Sequence, residues 1–202
     1  MFLNKAKNLE SLSKFKIKNL EIPKFIYFNV SEWKKDKTIL IKKINNKLQH
    51  RICIRSSYYN EDSSKSSLAG KFDSFINIKN DKKNIIFAVD NLIKQYFKFD
   101  KKNANFQKNY LLVQNFVQNS ICSGVITNYT LGDGAPYFTI NYNDISQSTL
   151  SVTSGDKDSF RVLYVSKKTT KNIRSLKFKK IIEAIKKIEK AYQFKPLDVE
   201  FA

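Results

Sequence analysis

The sequence predicts an α+β protein of two lobes. In the first half of the chain, apolar residues follow helical and strand-like spacings in alternation. From Tyr110 onward, short runs of β-branched and aromatic residues are separated by Gly, Asn, Asp and Ser clusters, and one long amphipathic helix follows them. We therefore predict a mixed α/β N-terminal lobe over 1-109 and a β-rich C-terminal lobe over 110-202 that is closed by a helix.

The N-terminal lobe is predicted to begin with a short amphipathic helix, because apolar residues recur at every third position from Ala6 to Phe15. Ser31 is a candidate N-cap for a helix that begins at Glu32. The other expected elements, in chain order, are a strand over 24–30, a helix over 39–48, a strand over 51–56, a polar loop over 58–67, a strand over 72–78 and a helix over 85–97.

The C-terminal lobe is expected to contain several short strands. They cover 111–117, 124–130, 137–142, 150–152 and 161–165. The closing helix shows an apolar stripe from Phe178 to Tyr192, with lysines mainly on its solvated side. Residues 197–202 have the pattern of a beginning strand. A cleft between two such lobes is where a small ligand would bind.

The composition argues against several classes of protein. A hydrophobic content of 42% with 13% aromatic residues argues against a disordered chain. No apolar run approaches the ~18 residues of a membrane-spanning helix, and the N-terminus lacks the apolar stretch of a secretory signal. Cys53 and Cys122 do not suggest a disulfide framework, and buried thiols are expected. These features predict a cytoplasmic protein that does not interact with membranes.

The charge of the chain has two interpretations. It contains 37 Lys and Arg against 18 Asp and Glu, and the net charge of +19 would attract nucleic acid, anionic lipid or phosphorylated ligands. The lysines are, however, spread almost evenly and accompany many Asn, Ile and Phe residues, a composition that AT-rich codons produce. No nucleic-acid-binding module is recognisable. We therefore expect solvated lysine faces, and nucleic acid is not an expected partner.

The most informative stretch begins at Arg55, near the end of a predicted strand. It contains R-S-S over 55–57, E-D-S over 61–63 and S-x-x-A-G over 66–70. The guanidinium of Arg55 is a rigid fork suited to phosphate oxygens, and a Ser/Gly loop can approach a polyphosphate with its backbone amides. By residue type alone, an edge-strand arginine followed by a solvated serine loop is an equally good interpretation.

The spacing of these residues, with Phe72, Ser74 and Asn77-Ile78 after them, resembles the signature of the ATP-binding domain of the phosphoenolpyruvate synthase and pyruvate phosphate dikinase family. That domain belongs to the ATP-grasp group. The resemblance implies a two-lobed ATP-grasp-like fold that binds ATP with Mg²⁺. It implies that Arg55 is a phosphate ligand and a catalytic residue. The residues that it assigns to the loop covering the phosphates are Ser66, Ala69 and Gly70.

The N-terminal segment Asn4 to Leu9 is similar to the G-G-K-G-x-N-L element of that family. The similarity implies that Lys5 contacts phosphate. Both glycines of the element are replaced in this chain, by Leu3 and Asn4.

The segment Val113 to Val117 is similar to the V-Q-x-M-V hinge of the family, whose backbone meets the adenine edge. The residues that this similarity assigns to adenine binding are Gln114, Asn115, Phe116 and Val117. Three further segments follow the family order, namely Ile22-Pro23 with V-P, Ser123-Gly124-Val125 with S-G-V and Val152 to Gly155 with V-x-S-G.

Asp198 and Glu200 lie two residues apart in the last predicted strand, so both side chains point to one face. Carboxylate oxygens suit a hard cation such as Mg²⁺. Taken alone, a D-x-E pair of this kind is more typical of solvated surface. Leu197 to Ala202 resembles the D-I-E-[FW] strand of the family, however, and this implies that both carboxylates hold Mg²⁺ against the β- and γ-phosphates.

Two departures from the family bear on the acceptor substrate. The family has F-T and a D-P or N-P turn after S-G-V, where this chain has I-T-N-Y-T over 126–130, and the strand over 137–141 lacks the family's glutamate. These features, with N-V-S-E-W-K-K over 29–35, are similar to a branch associated with bacterial capsule synthesis, whose members phosphorylate the side-chain amide of L-glutamine. The resemblance thus implies glutamine as acceptor, with pyruvate as the alternative.

Enzymes of this family pass phosphate through a histidine on a separate swivelling domain. The chain has one histidine, His50, which lacks the T-x-G-G-x-x-x-H setting, and we interpret it as structural or exposed. The Q-x-R pair that follows the D-x-E strand in the family does not occur after Glu200. We therefore expect a truncated domain whose phosphohistidine domain and acceptor site lie in a longer protein.

The expected function is that of the nucleotide-binding domain of an ATP-dependent kinase or phosphotransferase. The enzyme would phosphorylate a distant histidine and then a small acceptor, either glutamine for capsule phosphoramidate biosynthesis or pyruvate in a phosphoenolpyruvate synthase-like reaction. A non-catalytic nucleotide-binding module is a further alternative. Thermal stabilisation by Mg²⁺ and ATP distinguishes a working nucleotide site from one that has been lost.

Overall fold

The computed structural model of the chain describes residues 4–18, 20–59, 62–63, 66–67, 70–100, 106–144, 161–170 and 173–202, with the backbone alone at 62–63 and 66–67. Contacts divide the chain into two compact units. The first comprises Met1–Lys14 with Ile22–Phe116, and the second comprises Phe15–Glu21 with Val117–Ala202. Each unit combines an antiparallel sheet with helical structure, so the predicted α+β class is confirmed.

The strands of the first unit are β1 (Phe25–Asn29), β2 (Arg51–Ser57), β3 (Asp62–Ser63), β4 (Ser66–Ser67), β5 (Ser74–Lys79) and β6 (Tyr110–Asn115). Four of them form an antiparallel sheet in the order β1-β6-β2-β5, and β3 pairs with β4. Because β6 lies between β1 and β2, the first unit extends to Phe116. The sequence-based division, in contrast, places every residue from Tyr110 in the second lobe.

The helices of the first unit are α1 (Lys5–Ser13), α2 (Val30–Lys35), α3 (Lys37–Lys47) and α4 (Lys82–Phe99). Each begins behind an Asn or Asp whose side chain accepts a hydrogen bond from the amide three residues later. The prediction of Ser31 as an N-cap is wrong. Asn29 caps α2 instead, because its side chain and that of Glu32 each accept the other's backbone amide, at 2.8 and 2.7 Å.

One face of the first sheet carries the hydrophobic core. Ile26 and Phe28 of β1 and Ile52 and Ile54 of β2 pack there with the buried sides of α2, α3 and α4. Trp33 of α2 stacks on Phe28, with 5.5 Å between ring centroids. The burial of these apolar side chains is the main force that holds the helices to this face. The opposite face is therefore the one available for polar side chains.

The second unit contains β7 (Ser123–Thr127), β8 (Tyr137–Asn143), β9 (Arg161–Ser166), α5 (Leu176–Ala191) and β10 (Asp198–Phe201). Its antiparallel sheet has the order β10-β7-β8-β9. α5 contacts one face of this sheet, where the ring of Phe178 lies 4.7 Å from that of Tyr142. Gly124 is required by close strand approach, because a Cβ there would come within 2.1 Å of the carbonyl oxygen of Asn141.

Within the part of the chain that the structure describes, no helix is both long enough and apolar enough to cross a membrane. Two sequence-based predictions, the strand over 150–152 and the turn from Val152 to Gly155, lie outside the described residues.

Candidate functional site

Two of the residues that the sequence assigns to nucleotide binding share the face of the first sheet that is opposite the hydrophobic core. Arg55 on β2 lies opposite Leu112 on β6, and Gln114 on β6 lies opposite Cys53 on β2. Side chains two residues apart on a strand point to the same face. Arg55 and Gln114 are therefore diagonal neighbours, with Cα atoms roughly 7–8 Å apart. We call this surface the Arg55 face.

The N-terminus of α1, which carries Lys5, is held to the same face. The backbone amide of Ala6 donates to the hydroxyl of Ser57 at 2.9 Å. Ser57 follows Arg55 by two residues on β2, so both side chains lie on one side of the sheet. The Asn4 side chain accepts from the amide of Lys7 at 3.1 Å. Because Asn4 and Ser57 already use these amides, the cation of Lys5, rather than the helix terminus, would attract an anion.

Tyrosines of the sheet support the rest of α1. The ammonium of Lys7 lies 5.1 Å from the ring centroid of Tyr110, and that ring lies 5.7 Å from the ring of Tyr27. Burial, together with a hydrogen bond to Glu10, raises the pKa of Tyr27 to about 12. Tyr27 is therefore a neutral hydrogen-bond donor at physiological pH. These contacts fix the position of the helix over the sheet.

The Ser/Gly loop is only partly described. Ser66 lies in the short strand β4, of which the backbone alone is described, and Ala69 lies outside the described residues. Gly70 has φ +76° and open space around the position of a Cβ. Its left-handed backbone explains a glycine there without reference to a ligand. Ser74 lies opposite Arg55 on β5 and therefore belongs to the Arg55 face.

The predicted adenine hinge has a structural role along part of its length. The amide of Asn115 donates to the carbonyl of Lys24 at 2.9 Å, and that of Phe116 donates to the carbonyl of Arg51 at 3.0 Å. The Asn115 side chain accepts from the amide of Gln49 at 2.8 Å. The side chain of Gln114, on the Arg55 face, is thus the part of the hinge best placed for a ligand. Val117 belongs to the second unit.

In the second unit, Asp198 and Glu200 occupy one face of the edge strand β10, as predicted from their spacing. Both are exposed, while Val199 and Phe201 between and after them are partly buried. Asp198 lies opposite Thr127 on β7, and Glu200 lies opposite Val125. We call this surface the Asp198 face.

The Asp198 face continues across the sheet through β7, β8 and β9. Thr127 lies opposite Thr139, which lies opposite Tyr164. In the next row, Val125 lies opposite Asn141, which lies opposite Val162. The positions of these two rows include no lysine or arginine, in a chain whose net charge is +19.

A buried polar network fixes the start of β10. The Asn128 amide nitrogen donates to Glu189 at 2.9 Å and to the carbonyl of Lys195 at 2.9 Å, and its oxygen accepts from the amide of Leu197 at 2.7 Å. Lys167 pairs with the same Glu189 carboxylate and lies 3.8 Å from the ring centroid of Tyr129. Leu197, the residue before Asp198, is therefore connected through Asn128 and Glu189 to the ends of β7 and β9 and to α5.

A second ion-pair cluster, centred on Asp144, joins the end of β8 to β9 and α5. Lys177 lies 3.0 Å and Arg161 lies 3.3 Å from the two carboxylate oxygens of Asp144. The hydrogen bond from Lys177 and the two positive charges hold the pKa of Asp144 below its ordinary value. Burial raises the pKa of Cys122 despite the nearby Lys177, so this thiol is not an activated nucleophile. The buried thiols expected from the sequence are confirmed.

The structure therefore brings together Arg55, Gln114 and the helix that carries Lys5 on one face, and Asp198 with Glu200 on another. Sequence reasoning did not identify Ser57 as the residue that joins α1 to β2, although it lies inside the R-S-S motif. It also missed Asn128, whose only signal is its place directly after an apolar strand. His50 is exposed, as one of its two interpretations allowed.

Comparisons with known proteins assign no family to this fold and these sites. A scan against protein-family models finds no match to the chain, and a search among curated proteins finds none either. The resemblance described above thus rests on the motif residues themselves. The function that this resemblance implies requires that those residues form sites with suitable chemistry.

Proposed function

We propose that this chain is the nucleotide-binding domain of an ATP-dependent phosphotransferase. The observation that carries the proposal is the Arg55 face. Residues from three distant parts of the sequence meet there, because β2 pairs with β6 and Ser57 holds the N-terminus of α1. These are the parts that resemble the phosphate-binding and adenine-binding elements of phosphoenolpyruvate synthase and pyruvate phosphate dikinase.

The chemistry of the Arg55 face suits a polyphosphate attached to a base. Arg55 offers two parallel N–H donors to phosphate oxygens, and Lys5 adds a second positive charge near the same strand end. The Gln114 side chain has both a donor and an acceptor, as an adenine edge requires. Leu112 and Phe25 lie on the same face and provide apolar surface beside Gln114. The face can thus contact both ends of a nucleotide.

Asp198 and Glu200 have the donor chemistry for Mg²⁺, which prefers carboxylate oxygens and retains several waters. The resemblance assigns to such an ion the neutralisation of negative charge on the β- and γ-phosphates. The acceptor proposed from the resemblance is a histidine of a swivelling domain, followed by L-glutamine. Pyruvate is the alternative final acceptor.

A non-catalytic nucleotide-binding module is the second candidate. It is favoured by the engaged amides at Asn115 and Phe116 and at the N-terminus of α1, where the family has glycines. Such a module, whose nucleotide site has been lost, would not be stabilised by ATP with Mg²⁺. The phosphotransferase proposal requires binding that depends on the metal.

The test measures thermal stabilisation and calorimetric binding of ATP with Mg²⁺, and of ATP with a chelator. A ligand at a hundredfold excess over its Kd should stabilise the protein by about 2.7 kcal/mol. Arg55→Ala should remove most of this effect, and Arg55→Lys should not restore it, because an ammonium cannot form the fork. The matched control is Arg51→Ala, which removes an exposed arginine from the start of the same strand.

Equal stabilisation of the two alanine variants would contradict the assignment of Arg55. Absence of stabilisation of the unaltered protein by ATP with Mg²⁺ would favour the non-catalytic module. Metal-dependent binding that is lost with Arg55 and retained with Arg51 supports the phosphotransferase.

A further inference from the structure

The strand β9 forms one edge of the second sheet, whose order is β10-β7-β8-β9. The amide of Lys167 donates to the carbonyl of Pro136 at 3.1 Å, in register with the pairing of β9 and β8. Along an antiparallel ladder, pairs that are hydrogen-bonded alternate with pairs that are not, so the backbone groups of Val162 and Tyr164 point away from β8. Among the described residues, these groups have no hydrogen-bond partner. β9 therefore presents backbone donors and acceptors along its outer edge.

The outer edge of β9 lacks the features that usually prevent a strand edge from pairing with another chain. Such features are a bulge, a proline or charged side chains. β5 has a bulge in its pairing with β2, and Asn77 there has φ 57°. In β10, Asp198 and Glu200 supply acidic side chains. Between Arg161 and Lys167, in contrast, the sequence is V-L-Y-V-S, and the register of β9 with β8 is continuous. β9 is thus an unprotected edge.

The basic residues near the two ends of β9 are engaged within their own chain. Arg161 lies 3.3 Å from the carboxylate of Asp144, and Lys167 pairs with the carboxylate of Glu189. These contacts reduce the repulsion that an identical edge would meet at close range. They also leave little for an acidic partner strand to gain, because both cations already have carboxylate partners. The charges beside the edge therefore favour an identical strand over a strongly acidic one.

We propose that β9 pairs antiparallel with β9 of a second copy of this chain, which joins the two sheets into one. The pairing is symmetric about a two-fold axis at Leu163. Val162 of each copy then lies opposite Tyr164 of the other, and each of these pairs exchanges both of its backbone hydrogen bonds. In the single chain the side chain of Val162 is 50% exposed and that of Tyr164 is 61% exposed. In the dimer they form favourable pairs of an aromatic with a β-branched residue.

The register follows from the groups that the edge has available. The carbonyl of Ser166 already accepts a hydrogen bond within its own turn, at 3.1 Å. A pairing centred on Tyr164 would require that carbonyl, and it would set Arg161 opposite Lys167 of the other copy. Centring the pairing on Leu163 avoids both.

The association should be weak and should depend on salt. A six-residue strand provides few backbone bonds and little apolar area. Interfaces below roughly 1,200 Å² are typical of transient complexes, and we expect a Kd on the order of 100 µM. Each copy also carries a net charge of +19, which opposes association at long range. Salt screens this repulsion, so dimerisation should strengthen between about 50 mM and about 500 mM NaCl.

The experiment measures the oligomeric state by sedimentation equilibrium without nucleotide, at concentrations up to about 500 µM. Val162→Pro removes an outward N–H that the single chain does not use, and proline is tolerated at such edge positions. Val162→Lys keeps the N–H and places a charge beside the edge. Leu131→Lys is the matched control, because Leu131 is 85% exposed and lies outside β9. Melting temperatures establish that each variant folds.

We expect the unaltered protein and Leu131→Lys to dimerise alike. Both Val162 variants should dimerise at least about tenfold more weakly while melting close to the unaltered protein. Leu163→Cys tests the register, because facing residues of a pair without hydrogen bonds lie about 4.5 Å apart, within reach of a disulfide. It should form a covalent dimer on oxidation far faster than Thr169→Cys, which places an exposed thiol after β9.

A chain that remains monomeric at the highest concentration and salt would overturn the inference. So would equal weakening by Leu131→Lys, because it would indicate non-specific apolar association. Growth beyond a dimer would also overturn it, since pairing about a two-fold axis closes at two copies. Equal oxidation rates of the two cysteine variants would exclude the register. Nucleotide enters none of these measurements, so the inference and the proposed function fail independently.

Discussion

The hydroxyl of Ser57 accepts a hydrogen bond from the backbone amide of Ala6 at 2.9 Å, across 51 positions of sequence. Both groups are buried, so neither can use water as a substitute partner. The bond fixes α1 at the end of β2, two residues from Arg55. The Ser57 side chain therefore stabilises the first unit and also fixes the position of Lys5, the first residue of α1.

Replacing Ser57 with Ala should lower the free energy of unfolding by about 1–3 kcal/mol, because the Ala6 amide loses its acceptor in a buried place. The change can be measured by denaturant unfolding followed by the fluorescence of Trp33, the single tryptophan, which belongs to the same unit. Ser13→Ala is the control, because the Ser13 hydroxyl is exposed and bonds only within α1. Equal effects of the two substitutions would show that the bond to Ala6 contributes nothing measurable.

Local structure in this chain follows from its sequence more closely than the site does. The stripe that begins at Ala6 predicted α1, and the spacing of Asp198 and Glu200 predicted their common face on β10. Such patterns depend on neighbours a few residues away. The N-cap of α2 was misassigned because Asn29, Ser31 and Glu32 all offer capping side chains. Only the observed reciprocal bonds select Asn29.

The Arg55 face depends on pairing between distant strands, which periodicity does not encode. A shift of one residue between β2 and β6 would place Gln114 on the side away from Arg55. Similarly, the sequence gives no sign that the hydroxyl of Thr127 is engaged and that of Thr139 is not. The residue types of a binding site can thus be proposed from sequence, whereas their common face is known only from the register.

The carboxylates of β10 should control metal affinity. We expect Asp198→Asn with Glu200→Gln to weaken Mn²⁺ binding at least about tenfold, since even the groups that merely orient metal ligands contribute that much. Glu183→Gln, which neutralises an exposed carboxylate on α5, should leave Mn²⁺ binding unchanged. Titration followed by the paramagnetic resonance of free Mn²⁺ measures the affinity directly. Equal affinity in the double variant and the control would exclude a metal site on β10.

The network around Asn128 should determine the stability of the β10 end of the second unit. Asn128→Ala removes three hydrogen bonds and leaves the buried carboxylate of Glu189 with one partner fewer. We expect a loss of about 2–5 kcal/mol, within the range for a disrupted buried polar network. Hydrogen exchange of the amides of β10 and α5 should accelerate accordingly.

Trp33 lies in the first unit, so its fluorescence reports the unfolding of that unit. Hydrogen exchange in β10 and α5 reports on the second unit. Asn91→Ala serves as the control, since the side chain of the partly buried Asn91 bonds to the carbonyl of Phe87 within α4. The proposed role of Asn128 would be wrong if its replacement left exchange in β10 unchanged. It would also be wrong if exchange rose equally throughout the first unit.

The ion pair of Asp144 should give the second unit a dependence on acid pH. The hydrogen bond from Lys177 lowers the pKa of Asp144 in the folded protein below its unfolded value of about 3.9. Its contribution to stability is therefore complete above about pH 4, and it is lost as the pH falls through the folded pKa.

Asp144→Asn should reduce the free energy of unfolding by about 1–3 kcal/mol at pH 6. The difference from the unaltered protein should shrink steadily between about pH 4 and pH 2. Urea unfolding followed by circular dichroism across this range measures both quantities. Glu183→Gln should track the unaltered protein at every pH, and a constant deficit for Asp144→Asn down to pH 2 would show that the carboxylate's charge is not what stabilises the cluster.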